Sequence, residues 1–168
     1  GDKDVALAVD GFDVRILDED GAVGYNHAVA RGLCAIAAGR PVAILPADIP
    51  LVTHEEIARL TFPNDASNPI VRIAPDRHGR GTNGLYLSTP DLIAPKFGEN
   101  SFFNHGVAAG RTGAEVSALN LPNLAIDIDC FVDLELLQKD CNGGATAEFL
   151  STLRAPIFRT NTSKLGVA

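Results

Sequence analysis

Short apolar runs recur along this chain, and most are followed by residues whose apolar positions repeat at helical spacing. Residues 42–45 form a continuous apolar run, as expected of a strand covered on both faces, and Thr53-His54-Glu55-Glu56 then fits a capping box opening a helix through about Leu60. Residues 70–74 and 84–87 read as strands. Ser101 caps a helix that reaches about Arg111 and stops at Gly113, and residues 116–121 and 124–128 read as two more strands. Upstream, residues 5–9 and 14–17 read as short strands parted by Gly11. Gly24 opens a helix to about Ala38, with Ala28, Leu33, Ala35 and Ile36 on its apolar side and Gly39 as its stop. Residues 132–139 and 145–153 are expected to be helical, and the polar tail after Pro156 carries no period. Strands alternating with helices predict an α/β fold: a three-layer α/β/α arrangement around a mostly parallel sheet. A chain of 168 residues without internal repeat or linker is one domain's worth.

Charge and cysteine usage narrow the function. A net charge of −7 argues against an extended nucleic-acid footprint, which needs a basic face to displace counterions from phosphates. Small anions remain suitable ligands where Arg, Lys, backbone N–H groups or a metal reverse the field locally. Cys34, Cys130 and Cys141 are odd in number and lack paired CxxC spacing, which suits a reducing cytoplasm; Cys34 lies on an apolar helix face and is expected in the core. No apolar stretch reaches the roughly 20 residues that span a bilayer, so no membrane partner is expected. Oligomeric state is not legible in these residues. No GxSxG elbow, Walker A loop or GxGxxG fingerprint is present, which disfavours hydrolase, P-loop and dinucleotide readings. His27, His54, His78 and His105 show no metal-ligand spacing and are read as surface or packing residues.

Three acids stand out. Asp48 directly follows the strand at 42–45, in the crevice outside a strand's carboxyl end where open α/β sheets bind ligands. Asp127 and Asp129 alternate with Ile126 and Ile128, so on a strand both acids share one face. Two carboxylates roughly 6 Å apart repel by about 3 kcal/mol at an effective dielectric near 20, so the pair calls for a cation, a shared proton or ample water. Mg2+ is the natural candidate, being held by one or two carboxylates together with substrate phosphates. The bland alternatives are a turn aspartate at Asp48 and a solvated strand edge at Asp127 and Asp129. The loop 76–83 concentrates two arginines and two glycines in an acidic protein, giving charge and bare backbone to an anion, or else a flexible hairpin connection. Residues 97–101 lead into a helix whose first N–H groups form a second potential anion site.

Taken together, Leu45-Pro46-Ala47-Asp48-Ile49-Pro50-Leu51, Pro75-Asp76-Arg77-His78-Gly79-Arg80-Gly81-Thr82-Asn83, Phe97-Gly98-Glu99-Asn100-Ser101 and Ile126-Asp127-Ile128-Asp129 resemble the 2-phospho-L-lactate guanylyltransferase family of coenzyme F-420 biosynthesis. The resemblance runs in order from about Gly24 to Leu134. It implies a nucleotide-diphospho-sugar-transferase-like (Rossmann-like) fold in a single nucleotidyltransferase domain, 1–168, that starts after the family's first strand and nucleotide loop. It further implies GTP and a phosphorylated three-carbon acid as substrates, Mg2+ at Asp48, Asp127 and Asp129, and acid-binding roles for Thr82, Gly98 and Ser101. Gly24 and Asn26, in Gly24-Tyr25-Asn26, look like the family's segment near the guanine nucleotide. The alternatives are another nucleotidyltransferase of this fold, acting on a molybdopterin or a sugar phosphate, and a nucleotide-binding module without catalysis.

Overall fold

A computed structural model of the chain describes residues 3–17, 21, 24–63, 68–130, 132–134, 137 and 145–152. The chain forms two compact units, residues 1–127 and 128–168. The first is built on a four-stranded sheet of β1 (Val42–Ile44), β2 (Ile70–Pro75), β3 (Thr82–Leu87) and β4 (Glu115–Ala118), in the order β1-β3-β2-β4. β3 pairs antiparallel with both β1 and β2, while β2 and β4 are parallel. The sheet is therefore mixed, not mostly parallel as the alternation of elements suggested. The reason lies in the loop 76–81, which is too short for a crossover and so returns β3 antiparallel alongside β2.

Side-chain alternation divides the core. Ala43, Ala74 and Tyr86 face Leu60 of α3 (His54–Thr61), together with Ile49, Leu121 and Leu124. Val42, Ile44, Val71, Ile73, Leu85 and Leu87 turn to the opposite face and meet Phe102, Ala108 and Ala109 of α4 (Ser101–Gly110). Helices thus cover both faces, and each fully buried Leu or Ile contributes roughly 1.5–3 kcal/mol. Arg72 is buried yet satisfied: it donates to the Leu60 carbonyl at 3.1 Å, and its guanidinium lies 5.0 Å from the centre of the Tyr86 ring. A cation beside the last turn of α3 also suits the helix dipole. Gly84 allows the close approach of α3, since an added Cβ would stand 3.1 Å from Leu60 and 3.2 Å from Leu124.

The expected capping box is formed. Thr53 Oγ1 accepts the Glu56 N–H at 3.2 Å and the Glu56 carboxylate accepts the Thr53 N–H at 3.4 Å. Several other expectations need correction. Residues 5–9 lie in or just after a helix, α1 (Lys3–Ala8), and 14–17 have no regular structure; Phe12, Val14 and Ile16 are exposed, so strand-forming composition found no sheet to join. The helix opened by Gly24 is shorter than expected, α2 (Tyr25–Cys34), and Cys34 is exposed rather than core. Val42–Ile44 is only half buried, because β1 is an edge strand in the described sheet and an apolar cleft of 250 Å3 lies between it and Val29 and Leu33 of α2 and Ile36 just beyond. Residues 124–128 are not a strand: 122–125 form a turn, and the acids at 127 and 129 do not share a strand face.

The second unit contains a helical stretch at 132–134 and a helix at Ala145–Thr152. Asp133 is fully buried and its carboxylate accepts the N–H groups of Asp129 at 2.9 Å and Cys130 at 2.8 Å. Much of the helix expected over 132–139, and the tail after Pro156, lie outside the described residues.

Candidate active site at one end of the sheet

Strand directions decide what meets at the site. β1 and β2 run alike because both oppose β3, and β4 is parallel to β2, so the carboxyl ends of β1, β2 and β4 and the start of β3 share one edge. Asp48 follows β1 there, and the loop 76–81 and Thr82 join β2 to β3 there. Past β4, the Ala125 carbonyl accepts the Arg77 N–H at 2.9 Å, which fastens the segment leading to Asp127 beside the same loop. Glu56 anchors that segment from below: its second carboxylate oxygen accepts the Asn123 N–H at 2.8 Å.

Asp76 organises the loop. Its Oδ1 accepts the Arg80 N–H at 2.9 Å, its carbonyl accepts the Gly79 N–H at 3.0 Å, and its own N–H donates to the Gly81 carbonyl at 3.1 Å. Gly79 holds φ 68°, the left-handed region that favours glycine, and a Cβ on Gly81 would stand 2.7 Å from Asp76 Oδ2, so a side chain there would push against the carboxylate that ties the loop. The loop is thus a tied turn. The Arg80 carbonyl accepts the Phe102 N–H at 3.0 Å, joining it to the start of α4.

At that start the N-cap is Asn100, in left-handed conformation at φ 57°, and Ser101 is the first helical residue rather than the cap. Ser101 N–H donates to the Gly98 carbonyl at 3.1 Å, so the leading amides of Ser101 and Phe102 are already engaged. Gly98 adopts φ 114°, a conformation closed to most side chains. Ser101 and Thr82 are both buried. Asn26, on the first turn of α2 behind Gly24 at φ 117°, grips the loop as a strand would: its Oδ1 accepts the Phe97 N–H at 2.7 Å and its Nδ2 donates to the Phe97 carbonyl at 3.0 Å.

Three aromatic rings complete the site. Phe97 sits edge-on to Tyr25 at 5.0 Å and to His105 at 4.9 Å. Burial, and then the negative charge of Asp48, hold the Tyr25 hydroxyl above its ordinary pKa, so α2 and Asp48 are electrostatic neighbours. His105 is buried, and burial lowers its pKa to about 4. Its Nε2 accepts the Lys96 N–H at 2.9 Å and its Nδ1 lies 3.0 Å from Thr82 Oγ1. By sequence alone His105 reads as a surface or packing residue like the other histidines; its position one helical turn beyond Ser101, on the same face of α4, is the signal that marks it. Beside α2, a mostly apolar cleft of 490 Å3 is lined by Leu17, Ala30 and Ala35, with Arg15, His27 and Arg31 at its walls.

Asp48, Thr82, Gly98, Ser101, Gly24 and Asn26 therefore belong to elements tied together in the first unit, with Asp127 at that unit's last residue and Asp129 in the second. Among the described residues, no three His, Cys, Asp or Glu side chains are grouped as a metal site. Asp48 is exposed and Asp127 half-buried, hard oxygen donors of the kind Mg2+ uses one or two at a time.

One edge of this α/β sheet thus carries the exposed Asp48, a tied glycine turn and a helix start, at the position where open sheets commonly bind ligands. Family comparison is more particular. The model described as "Guanylyl transferase CofC like" matches residues 2–168, and the chain belongs to that family. It is similar to a phosphoenolpyruvate guanylyltransferase of Conexibacter woesei, at 35% identity over 82% of this chain and 63% of that protein. It is also similar to the 2-phospho-L-lactate guanylyltransferases of Methanothermobacter thermautotrophicus, at 34% over 91% of this chain and 67% of that protein, and of Methanocaldococcus jannaschii, at 30% over 90% and 74%. The chain spans 63% and 60% of the lengths of the two phosphoenolpyruvate guanylyltransferases it matches from Conexibacter woesei and Sphaerobacter thermophilus. No helix among the described residues is long and apolar enough to cross a membrane.

Proposed function

We propose that this chain carries the acid-binding and metal-binding end of a guanylyltransferase that joins GMP from GTP to a phosphorylated three-carbon acid, in coenzyme F-420 biosynthesis. The single observation that carries the reading is the tied set of Thr82, the loop 76–81, Gly98 and Ser101 beside Asp48, in a chain of this family. A phosphate oxygen of the acid attacks the α-phosphorus of GTP; one P–O bond forms there as the bond to the β-phosphate oxygen breaks, and pyrophosphate leaves. No side-chain nucleophile is required, because phosphoryl-type transfer depends chiefly on in-line positioning and charge neutralisation.

The residues divide that work. Thr82, Gly98 and Ser101 hold the acid, and two loops, 76–81 tied by Asp76 and 96–100 tied by Asn26, keep them in register. Gly24 and Asn26 would serve the nucleotide. Asp48 and Asp127, both in the first unit, would hold Mg2+ without Asp129, which belongs to the second unit, and the bound metal would neutralise charge on the phosphate oxygens. The nucleotide-diphospho-sugar-transferase-like arrangement belongs to the same proposal, as does a cytoplasmic setting, which the free Cys34 and Cys130 suit.

Pyrophosphate release tests it. Mixed with Mg2+ and GTP, the chain is expected to release pyrophosphate with at least one of phosphoenolpyruvate, 2-phospho-L-lactate and 3-phosphoglycerate, and to stop when the metal is chelated. Asp48→Ala should lower the rate about a hundredfold or more. Release with CTP and a sugar phosphate instead would favour another nucleotidyltransferase, and GTP binding without turnover on any acid would favour a binding module.

A further inference from the structure

We propose that His105 is the positioning residue that fixes the polarity of the Thr82 hydroxyl, leaving its hydrogen free to donate to an anionic oxygen of the acid substrate. One hydrogen bond of His105 has a fixed direction. A backbone N–H can only donate, so the Lys96 N–H at 2.9 Å makes His105 Nε2 an acceptor. A neutral imidazole with a lone pair on Nε2 carries its hydrogen on Nδ1. That hydrogen points to Thr82 Oγ1, 3.0 Å away, and the hydroxyl there accepts. Thr82 thereby keeps its own hydrogen. Were the tautomer reversed, Thr82 would spend its hydrogen on Nδ1 and turn lone pairs toward an incoming carboxylate or phosphate.

The surroundings hold this arrangement. His105 is 1% exposed, its ring is flanked edge-on by Phe97, and Phe97 is in turn clamped through its backbone by Asn26. Burial disfavours the doubly protonated ring, whose Nε2 hydrogen would face the Lys96 N–H. One side chain thus links β3, the loop 96–100 and α4. A hydroxyl pre-set to donate is worth more to an anion than one that must first reorient.

For its substrate the proposal rests on the guanylyltransferase reading; for its geometry it does not. Long-range proton–nitrogen spectra of the whole chain at neutral pH should show an Nδ1–H tautomer for the histidine whose signals vanish in His105→Gln. An Nε2–H tautomer overturns the proposal regardless of activity. In kinetics, Thr82→Val and His105→Gln should each raise the apparent KM for the acid about tenfold or more with KM for GTP little changed. His105→Asn, whose amide nitrogen can replace Nδ1, should recover most of that loss, and the double variant Thr82→Val with His105→Gln should be no worse than Thr82→Val alone. Equal loss in the Asn and Gln variants, or loss falling on GTP instead, overturns the assignment. If the unaltered chain releases pyrophosphate with no acid, the guanylyltransferase reading fails and takes the substrate of this proposal with it, while the tautomer still reports on His105.

Discussion

His105 shows how one buried group can serve the fold and the site at once. Its neutral ring is a donor at one nitrogen and an acceptor at the other, so protonation removes the acceptor that holds Lys96. The sign of the resulting pH dependence follows from its lowered pKa. Above the ordinary value of 6.5 both folded and unfolded chains carry a neutral ring and pH has no leverage; below it the unfolded chain takes up a proton that the folded one refuses until about 4. Stability from this group is therefore full above pH 6.5 and is lost as pH falls toward about 4. Denaturant titrations should show the advantage of the unaltered chain over His105→Asn shrinking across that window. An advantage that stays constant with pH would show that the ring is not held neutral.

At the scale of elements, the site depends on ties between segments that do not themselves touch a substrate. Glu56 is the clearest: one carboxylate oxygen closes the capping box on α3 and the other takes the Asn123 N–H, so a helix start and the segment running to Asp127 share one side chain. Thr53→Ala removes only the cap and should cost about 1 kcal/mol. Glu56→Ala leaves the Asn123 N–H without its partner as well and should cost about 2 kcal/mol or more. Thermal unfolding of the two variants measures the difference, and equal losses would mean that the bond to Asn123 contributes nothing. The capping box was legible in the sequence because its residues lie three apart, and so were β2 and β3, because apolar composition marks a strand wherever a sheet covers it. The direction of β3 was not. Sheet polarity is set by loop length and by pairing between distant segments, and periodicity carries neither. The same limit explains residues 5–9 and 124–128, whose apolar composition suited a strand but which joined no strand ladder in the described sheet. For the site, Asp48 stands out in the sequence by its charge after a strand, whereas Thr82, Gly98 and Asn26 are singled out by the family resemblance; those three fall on segments joined by hydrogen bonds. The bond from Asn123 to Glu56 was not legible, since it arises from what tertiary packing places against that carboxylate, and His105 was marked only by its helical register with Ser101.

For the molecule as a whole, the account turns on one end of one sheet receiving a small phosphorylated acid in a protein whose net charge of −7 would otherwise repel it. Attraction must then be local, from backbone N–H groups, hydroxyls and a few cations gathered by the fold, rather than from the general field. That makes the place of binding as diagnostic as its strength. The most direct measurement is a titration of the nitrogen-labelled chain with phosphoenolpyruvate in the presence of Mg2+, following every backbone amide. The account predicts saturable shifts concentrated at residues 80–83 and 97–102 and sharply weakened in Thr82→Val. Saturable shifts centred elsewhere on the chain, or the same pattern undiminished in Thr82→Val, would contradict it.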